Sequence, residues 1–327
     1  MRRLRFDDLF SVFNRKKMDI RSCAAGLFIL SFASIARGQI FLTQGNDIEE
    51  YSLNGTPINT DFITIPNLDD VSTKLAVEGN DLFVLHDGTV SEYTTGGQLV
   101  NATVYNAFFD TGSATAITVS GDKMFLSILR GRTSPNTIEE FTTAGVLLNS
   151  SLGVAFPEPQ FMTVSGDNVF VESDPAIVLP PINGQLPLIA QFSISGGTSN
   201  SNFITGGFGA YFGLAQIGND LFTTDFNTQN IAEFTTSGTL VTSTLLPGLN
   251  STLDIVSGGD DLFAATQQGN IAEYTADGTI VNANLITGLA WVNLNIAVEV
   301  PEPGALESLV LCGSIFLLGR RGSWRLG

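Results

Sequence analysis

The dominant order in this chain is a recurring alternation of short apolar runs and polar turns. Each unit opens on an apolar run followed by a Gly/Asn/Asp turn such as Gly79-Asn80-Asp81. A run built around Leu82-Phe83 comes next, and then a strand of the form Ile/Val-x-Glu-aromatic-x-x-x-Gly. That last pattern occurs at Glu50-Tyr51 with Gly55, Glu92-Tyr93 with Gly97, Glu140-Phe141 with Gly145, Gln191-Phe192 with Gly196, Glu233-Phe234 with Gly238 and Glu273-Tyr274 with Gly278. Runs of this length, bounded by Gly/Asn/Asp clusters, predict β-strands joined by tight hairpins. Four strands fit in each unit: an innermost one (Leu75–Val77, Ile117–Val119, Met162–Val164 and Asp254–Val256), the Leu-Phe strand, the Glu-aromatic strand, and a last one such as Gln98–Asn101.

From the Glu or Gln of one copy to the next the spacing is 42, 48, 51, 42 and 40 residues. A period in the forties with four short strands per unit predicts propeller blades. Gln39–Thr43 matches the second strand of a unit and Leu294–Val298 a first strand, so one blade is expected to draw on both ends of the array and leave no open edge. The predicted fold class is therefore all-β, a six-bladed β-propeller over residues 39–299 closed by N- and C-terminal strands. The copies resemble NHL-type and related six-bladed propeller repeats, in which a strand ending in an aromatic is followed by a polar turn and Gly.

Of 327 residues, 43% are hydrophobic and 14% charged, enough apolar material for one large or two ordinary domains. The charge is unevenly placed. Eight of the 15 Lys and Arg lie at or before Arg37 and three at or after Arg320, which leaves Lys74, Lys123, Arg130 and Arg132 against 27 Asp and Glu between Gln39 and Val300. Such a field argues against nucleic acid as a partner and repels anionic membrane surfaces. Cys23 and Cys312 both fall outside the array, so the expected domain has neither thiol chemistry nor a disulfide.

The ends read as addresses. Seven cations between Arg2 and Arg21 precede the apolar run Ala24–Ala36, and Ala36 and Gly38 are small residues at the −3 and −1 positions of a cut before Gln39. This predicts a signal peptide over 1–38, with Met18 an alternative start; a retained anchor would need roughly 20 apolar residues. At the other end, Val300-Pro301-Glu302-Pro303 leads into the mostly apolar run 304–319 and then Arg320-Arg321. Prolines on both sides of Glu302 keep that stretch extended, the apolar run is expected to form a helix in the inner membrane, and the arginines are expected to stay on its cytoplasmic side. The ordered triple over 300–327 resembles the PEP-CTERM sorting signal read by exosortases of Gram-negative bacteria that make extracellular polysaccharide. The tripeptide alone is uninformative, since Pro157-Glu158-Pro159 also spells it. Glu307 and the shortness of the run depart from the family pattern, and a permanent tail anchor is the competing reading. The resemblance implies processing by signal peptidase and exosortase, transient residence in the inner membrane through 304–319, and delivery to the cell surface or an exopolysaccharide matrix.

Enzymatic chemistry has few candidate parts. His86 is the only histidine, so no histidine metal cluster can form, and His86-Asp87-Gly88 reads as a hairpin tip with an exposed imidazole. No Gly-x-Ser-x-Gly elbow is present. The repeated glutamates lie on third strands, away from the axis, and are expected to pair with a neighbouring blade's backbone or Thr. Asp225-x-Asn227-x-Gln229 lacks the Gly and closing Glu of a calcium loop. No cofactor, metal or catalytic residue is assigned. From the Phe of the second strand to the Glu or Gln of the third the distance is 9, 9, 15, 21, 11 and 10 residues. The two expanded connections contain Arg130 and Arg132 in one and Asp174 in the other, and insertions of this kind often collect on a binding face. Arg130, Arg132 and Asp174 are the candidate binding rim, neutral loop drift being the alternative. The leading expectation is a non-catalytic binding or scaffolding propeller. The alternative is a lyase- or lactonase-type enzyme acting in the central channel, which would need His, Asp or Glu on the first strands.

Overall fold

A computed structural model describes residues 38–68, 73–106, 112–130, 136–154, 159–173, 187–197, 199–205, 213–225, 228–247, 249, 252–290 and 294–300. The chain divides into units Met1–Ala36 and Arg37–Gly327, and the first lies outside the described residues. All regular structure in the second, among the described residues, is β: six four-stranded antiparallel sheets. Blade 1 joins Ile296–Glu299, its inner strand, to Gln39–Gln44, Asp47–Ser52 and Pro57–Thr64. Blades 2 to 6 follow in chain order from inner strands Lys74–Glu78, Ser113–Ser120, Pro159–Ser165, Leu214–Ile217 and Thr252–Gly258. The inner strands neighbour one another in a closed ring, so the predicted six-bladed propeller is the fold. Its seam pairs Gln39 with Glu299, Ile40 with Val298, Phe41 with Ala297 and Leu42 with Ile296.

One residue of the repeat builds every interface between blades. Phe41, Phe83, Phe125, Phe170, Phe222 and Phe263 are all essentially inaccessible. Side chains alternate faces along a strand, so the Phe of each second strand points to the next blade while its chain neighbours point to the preceding one. Phe125 packs on Met162, Val169 and Val171 of blade 4, and Phe263 packs on Ile40, Leu42 and Ile296 across the seam. The core is thus six radial wedges, and removing one such ring costs about 3–5 kcal/mol.

The third-to-outer hairpins show why the repeat carries Gly. Gly145 has φ 84, and an added Cβ would stand 2.1 Å from the Val104 carbonyl oxygen of the preceding blade's outer strand. A hydroxyl next to the aromatic completes the turn: the backbone N–H of Gln98, Val146, Thr239 and Thr279 donates to Thr94, Thr142, Thr235 and Thr275 Oγ1 at 3.1 Å each.

The seam also holds a buried acid. Glu299 is pushed up to about 7, first by burial and then by the nearby Glu50. A carboxyl whose folded-state value lies above its unfolded value binds its proton more tightly when folded, so its stabilising contribution is complete at acidic pH and is lost as pH rises from about 4.5 through 7. The thermal midpoint is expected to fall between pH 5 and 7.5, and Glu299→Gln to flatten that fall. An unchanged profile in the variant, followed by circular dichroism melts, would rule out Glu299 as the source.

Candidate functional site

The inner strands all enter the axis from one rim, and their first residues meet at the mouth of the channel. Lys74 opens the inner strand of blade 2. Its ammonium donates to Asn295 Oδ1 of blade 1 at 3.1 Å and stands 4.2 Å from the centroid of the Phe161 ring of blade 4. Two carboxylates act on it electrostatically, Asp254 of the blade 6 inner strand and Glu172 of the blade 4 second strand. Both are buried, Glu172 completely. The lysine therefore reaches across the axis from blade 2 to residues of blades 1, 4 and 6.

The surrounding bonds hold this arrangement in place. Asp254 Oδ2 accepts the Ile296 N–H at 3.1 Å. Asn295 donates its backbone N–H to Thr43 Oγ1 at 2.9 Å, and its carbonyl accepts the Thr43 N–H at 3.0 Å. The channel mouth is thus anchored to the second strand of the seam blade. Burial lowers the Lys74 pKa, with Asp254 and Glu172 opposing. Burial pushes Asp254 up to about 6, opposed by Lys74 and then by the N–H groups of Ile296 and Ile255. Beyond the mouth the inner strands surround a cavity of about 190 Å³ lined by apolar residues including Leu75, Ile117, Met162, Leu214 and Val256, with Thr118, Thr163 and Ser257 among them.

Leu75–Val77, Ile117–Val119 and Met162–Val164 are apolar or Thr, so the charge at the mouth comes from residues beside and beyond them. The blade 2 strand begins one residue earlier than read from the sequence, at Lys74, and Asp254 lies on the blade 6 strand with its carboxylate engaged at the mouth. Glu172 was missed as well. Its slot, two residues after the second-strand Phe, holds Thr43, Leu85, Ser127, Thr224 and Ala265 in the other blades, so a lone charge there was the available signal.

His86 closes a hairpin, as expected, but its imidazole is only 15% exposed and its Nδ1 lies 3.3 Å from Thr73 Oγ1. Two of the repeated glutamates find partners within their own blade, where a neighbouring blade was expected to supply them. Glu50 accepts from the Gln39 side chain, and Glu140 pairs with Lys123 at 2.6 Å. Adjacent strands of one sheet bring those positions together before any blade contact forms. Burial, and then Asp81, Asp220 and Asp261 respectively, raises Glu92, Glu233 and Glu273.

Of the candidate binding rim, Arg130 is described: its guanidinium pairs with buried Glu139 and donates from Nε to Thr137 Oγ1 at 3.2 Å. Arg132 and Asp174 lie outside the described residues, as do Asn227 and the sorting residues Pro301, Glu302, Pro303, Arg320 and Arg321. Gly38 and Gln39 are described, Gln39 as the first seam residue. No helix among the described residues is long and apolar enough to cross a membrane.

No protein-family model matches the chain, and no curated protein matches it. Solved structures do. A chain of a nidogen–laminin complex aligns at a TM-score of 0.63 with 14% identity, over 80% of this chain and 98% of that one. A protein of unknown function from Bacteroides caccae aligns at 0.55 with 10% identity, over 80% and 99%. A gluconolactonase from Xanthomonas campestris aligns at 0.51 with 14% identity, over 66% and 76%. These likenesses show the fold alone.

Lys74→Met would leave Asp254 and Glu172 buried without their cation, a change expected to cost about 3 kcal/mol near pH 7. Adding Asp254→Asn should recover part of that loss. Denaturant titration of the single and double variants measures both, and additive losses would show that Lys74 and Asp254 do not act on each other.

Proposed function

We propose that this chain is an exported, non-catalytic surface or extracellular-matrix protein of a Gram-negative-type bacterium, in which the propeller binds or scaffolds in an exopolysaccharide setting. Its C-terminal segment acts as a PEP-CTERM-type sorting signal, held briefly in the inner membrane through 304–319 and cut by an exosortase near Pro301–Pro303. The observation that carries the reading is the register of the seam. Gln39 sits opposite Glu299, so a cut before Gln39 and a cut after Val300 both fall just outside the last paired residues and would leave the closing blade whole. The ordered triple of Pro-Glu-Pro, apolar run and paired arginines supplies the rest. Mass spectrometry of the mature protein is expected to find Gln39 at its N-terminus and an end between Val300 and Pro303. In a host deleted for its exosortase, Arg320 and Arg321 should be retained. A mature chain keeping both arginines in the unmodified host would make the tail a permanent anchor.

A second reading, a lyase- or lactonase-type enzyme, is favoured by one feature, the convergence of Lys74, Asp254 and Glu172 at the channel mouth. It competes with a structural role, in which Lys74 is held by Asn295 and Phe161 and Asp254 by the Ile296 N–H. Lactone hydrolysis by the purified protein that disappears in Asp254→Asn would favour the enzyme, and its absence across a lactone panel would favour the binding role.

A further inference from the structure

The rim opposite the channel mouth has a repeated surface feature. At the third residue after the Gly of the third-to-outer hairpin the outer strand exposes an apolar side chain: Ile58, Val100, Leu148, Val241 and Val281 are 51–54% exposed in blades 1, 2, 3, 5 and 6. In the last four of these blades the residue before it, Leu99, Leu147, Leu240 or Ile280, is 48–61% exposed as well. Blade 4 carries Ser199 at this point. Scattered exposed apolar residues are ordinary, but a set placed by the repeat at one position in five of six blades is a property of the whole ring.

The hairpins bearing these residues share a rim with the turns that join inner to second strands. The Thr95 N–H donates to Asn80 O at 2.8 Å, Thr143 N–H to Asp122 O at 3.0 Å and Thr236 N–H to Asn219 O at 2.8 Å. The chain leaves the propeller at this rim too. Inner strands end here, Val300 is 40% exposed, and its Cγ1 lies 3.6 Å from where a Cβ on Gly259 would be. In sequence, the apolar run 304–319 begins four residues after Val300.

We propose that this rim docks on the interface of a lipid bilayer while the chain is tethered by its C-terminal segment, with the outer-strand apolar residues as contact points. The inference rests on the reading of 304–319 as a membrane segment. Contact points spread around a ring suit a flat partner that meets all blades at once, whereas an apolar peptide in a groove would engage one or two. The four-residue step from Val300 to Gly304 spans at most about 14 Å when extended, which keeps this rim near the surface. The same turns carry Asp122 and Asp260 in exposed positions, with Asp81 and Asp220 close behind. The surface that fits is therefore zwitterionic, because an anionic one would repel the carboxylates within the screening length.

The test uses the full chain with Cys23 and Cys312 changed to Ser, reconstituted in phosphatidylcholine nanodiscs. A single cysteine, from Leu147→Cys on this rim or Gln268→Cys on the opposite one, carries an environment-sensitive fluorophore. Nitroxide-labelled lipid should quench the probe at 147 several-fold more than the probe at 268. Replacing phosphatidylcholine with phosphatidylglycerol should weaken that quenching at low salt and restore it as salt is raised. Equal quenching at the two positions, or protection of 147 that persists without lipid because another protein covers it, would overturn the docking while leaving the tether intact. Release of the chain by alkaline extraction would overturn the membrane reading of 304–319 and the docking with it.

Discussion

Everything in this molecule depends on closing the ring. Away from the channel mouth each blade packs its faces on its two neighbours, so an open arc of six would leave the faces of two blades and the edge of one strand bare to water. The four-residue ladder between Ile296–Glu299 and Gln39–Leu42 removes both defects at once. It aligns Phe263 of blade 6 with Ile40 and Leu42 of blade 1, completing the sixth of six equivalent wedges. The wedge is the unit of cohesion and the seam is the condition under which all six exist.

Closure also creates the channel mouth. Lys74, Glu172, Asp254 and Asn295 come from four blades and are far apart in sequence, yet the ring brings their side chains around one point on the axis. The amide oxygen of Asn295 and the face of Phe161 hold an ammonium that would be costly to bury alone, and the field of the two carboxylates favours its charge. The mouth is consequently a structural bond between blades as well as the most chemically varied place in the protein. Arg130, on the same rim, is similarly committed to Glu139 within its own sheet.

The blades were legible in the sequence because each is a local object. A Leu-Phe run, a Gly-Asp turn and a Glu-aromatic strand lie within some forty residues, and the Phe at one position reports a wedge every time it recurs. The closing strand was legible too, as a first strand with no blade of its own. The channel mouth was not, because which inner-strand residue faces the axis is settled by the ring and not by the strand. Lys74 stood just outside the apolar run that marked its strand, and Asp254 was absorbed into one. The partners of the glutamates were misjudged for a related reason. The pattern placed them on third strands but did not show that Gln39 and Lys123 would occupy the cross-strand neighbour positions.

The seam joins the first paired residue of the propeller to the last. During synthesis, Gln39–Gln44 emerges early and has no inner-strand partner until Ile296–Glu299 has been made. Pairing at such sequence separation is slow to form, and until it forms blade 6 and blade 1 each present an uncovered face. The final folding event is therefore timed by delivery of the chain's C-terminal part. The propeller becomes whole only when its last inner strand, which is also its last strand in the chain, is in place.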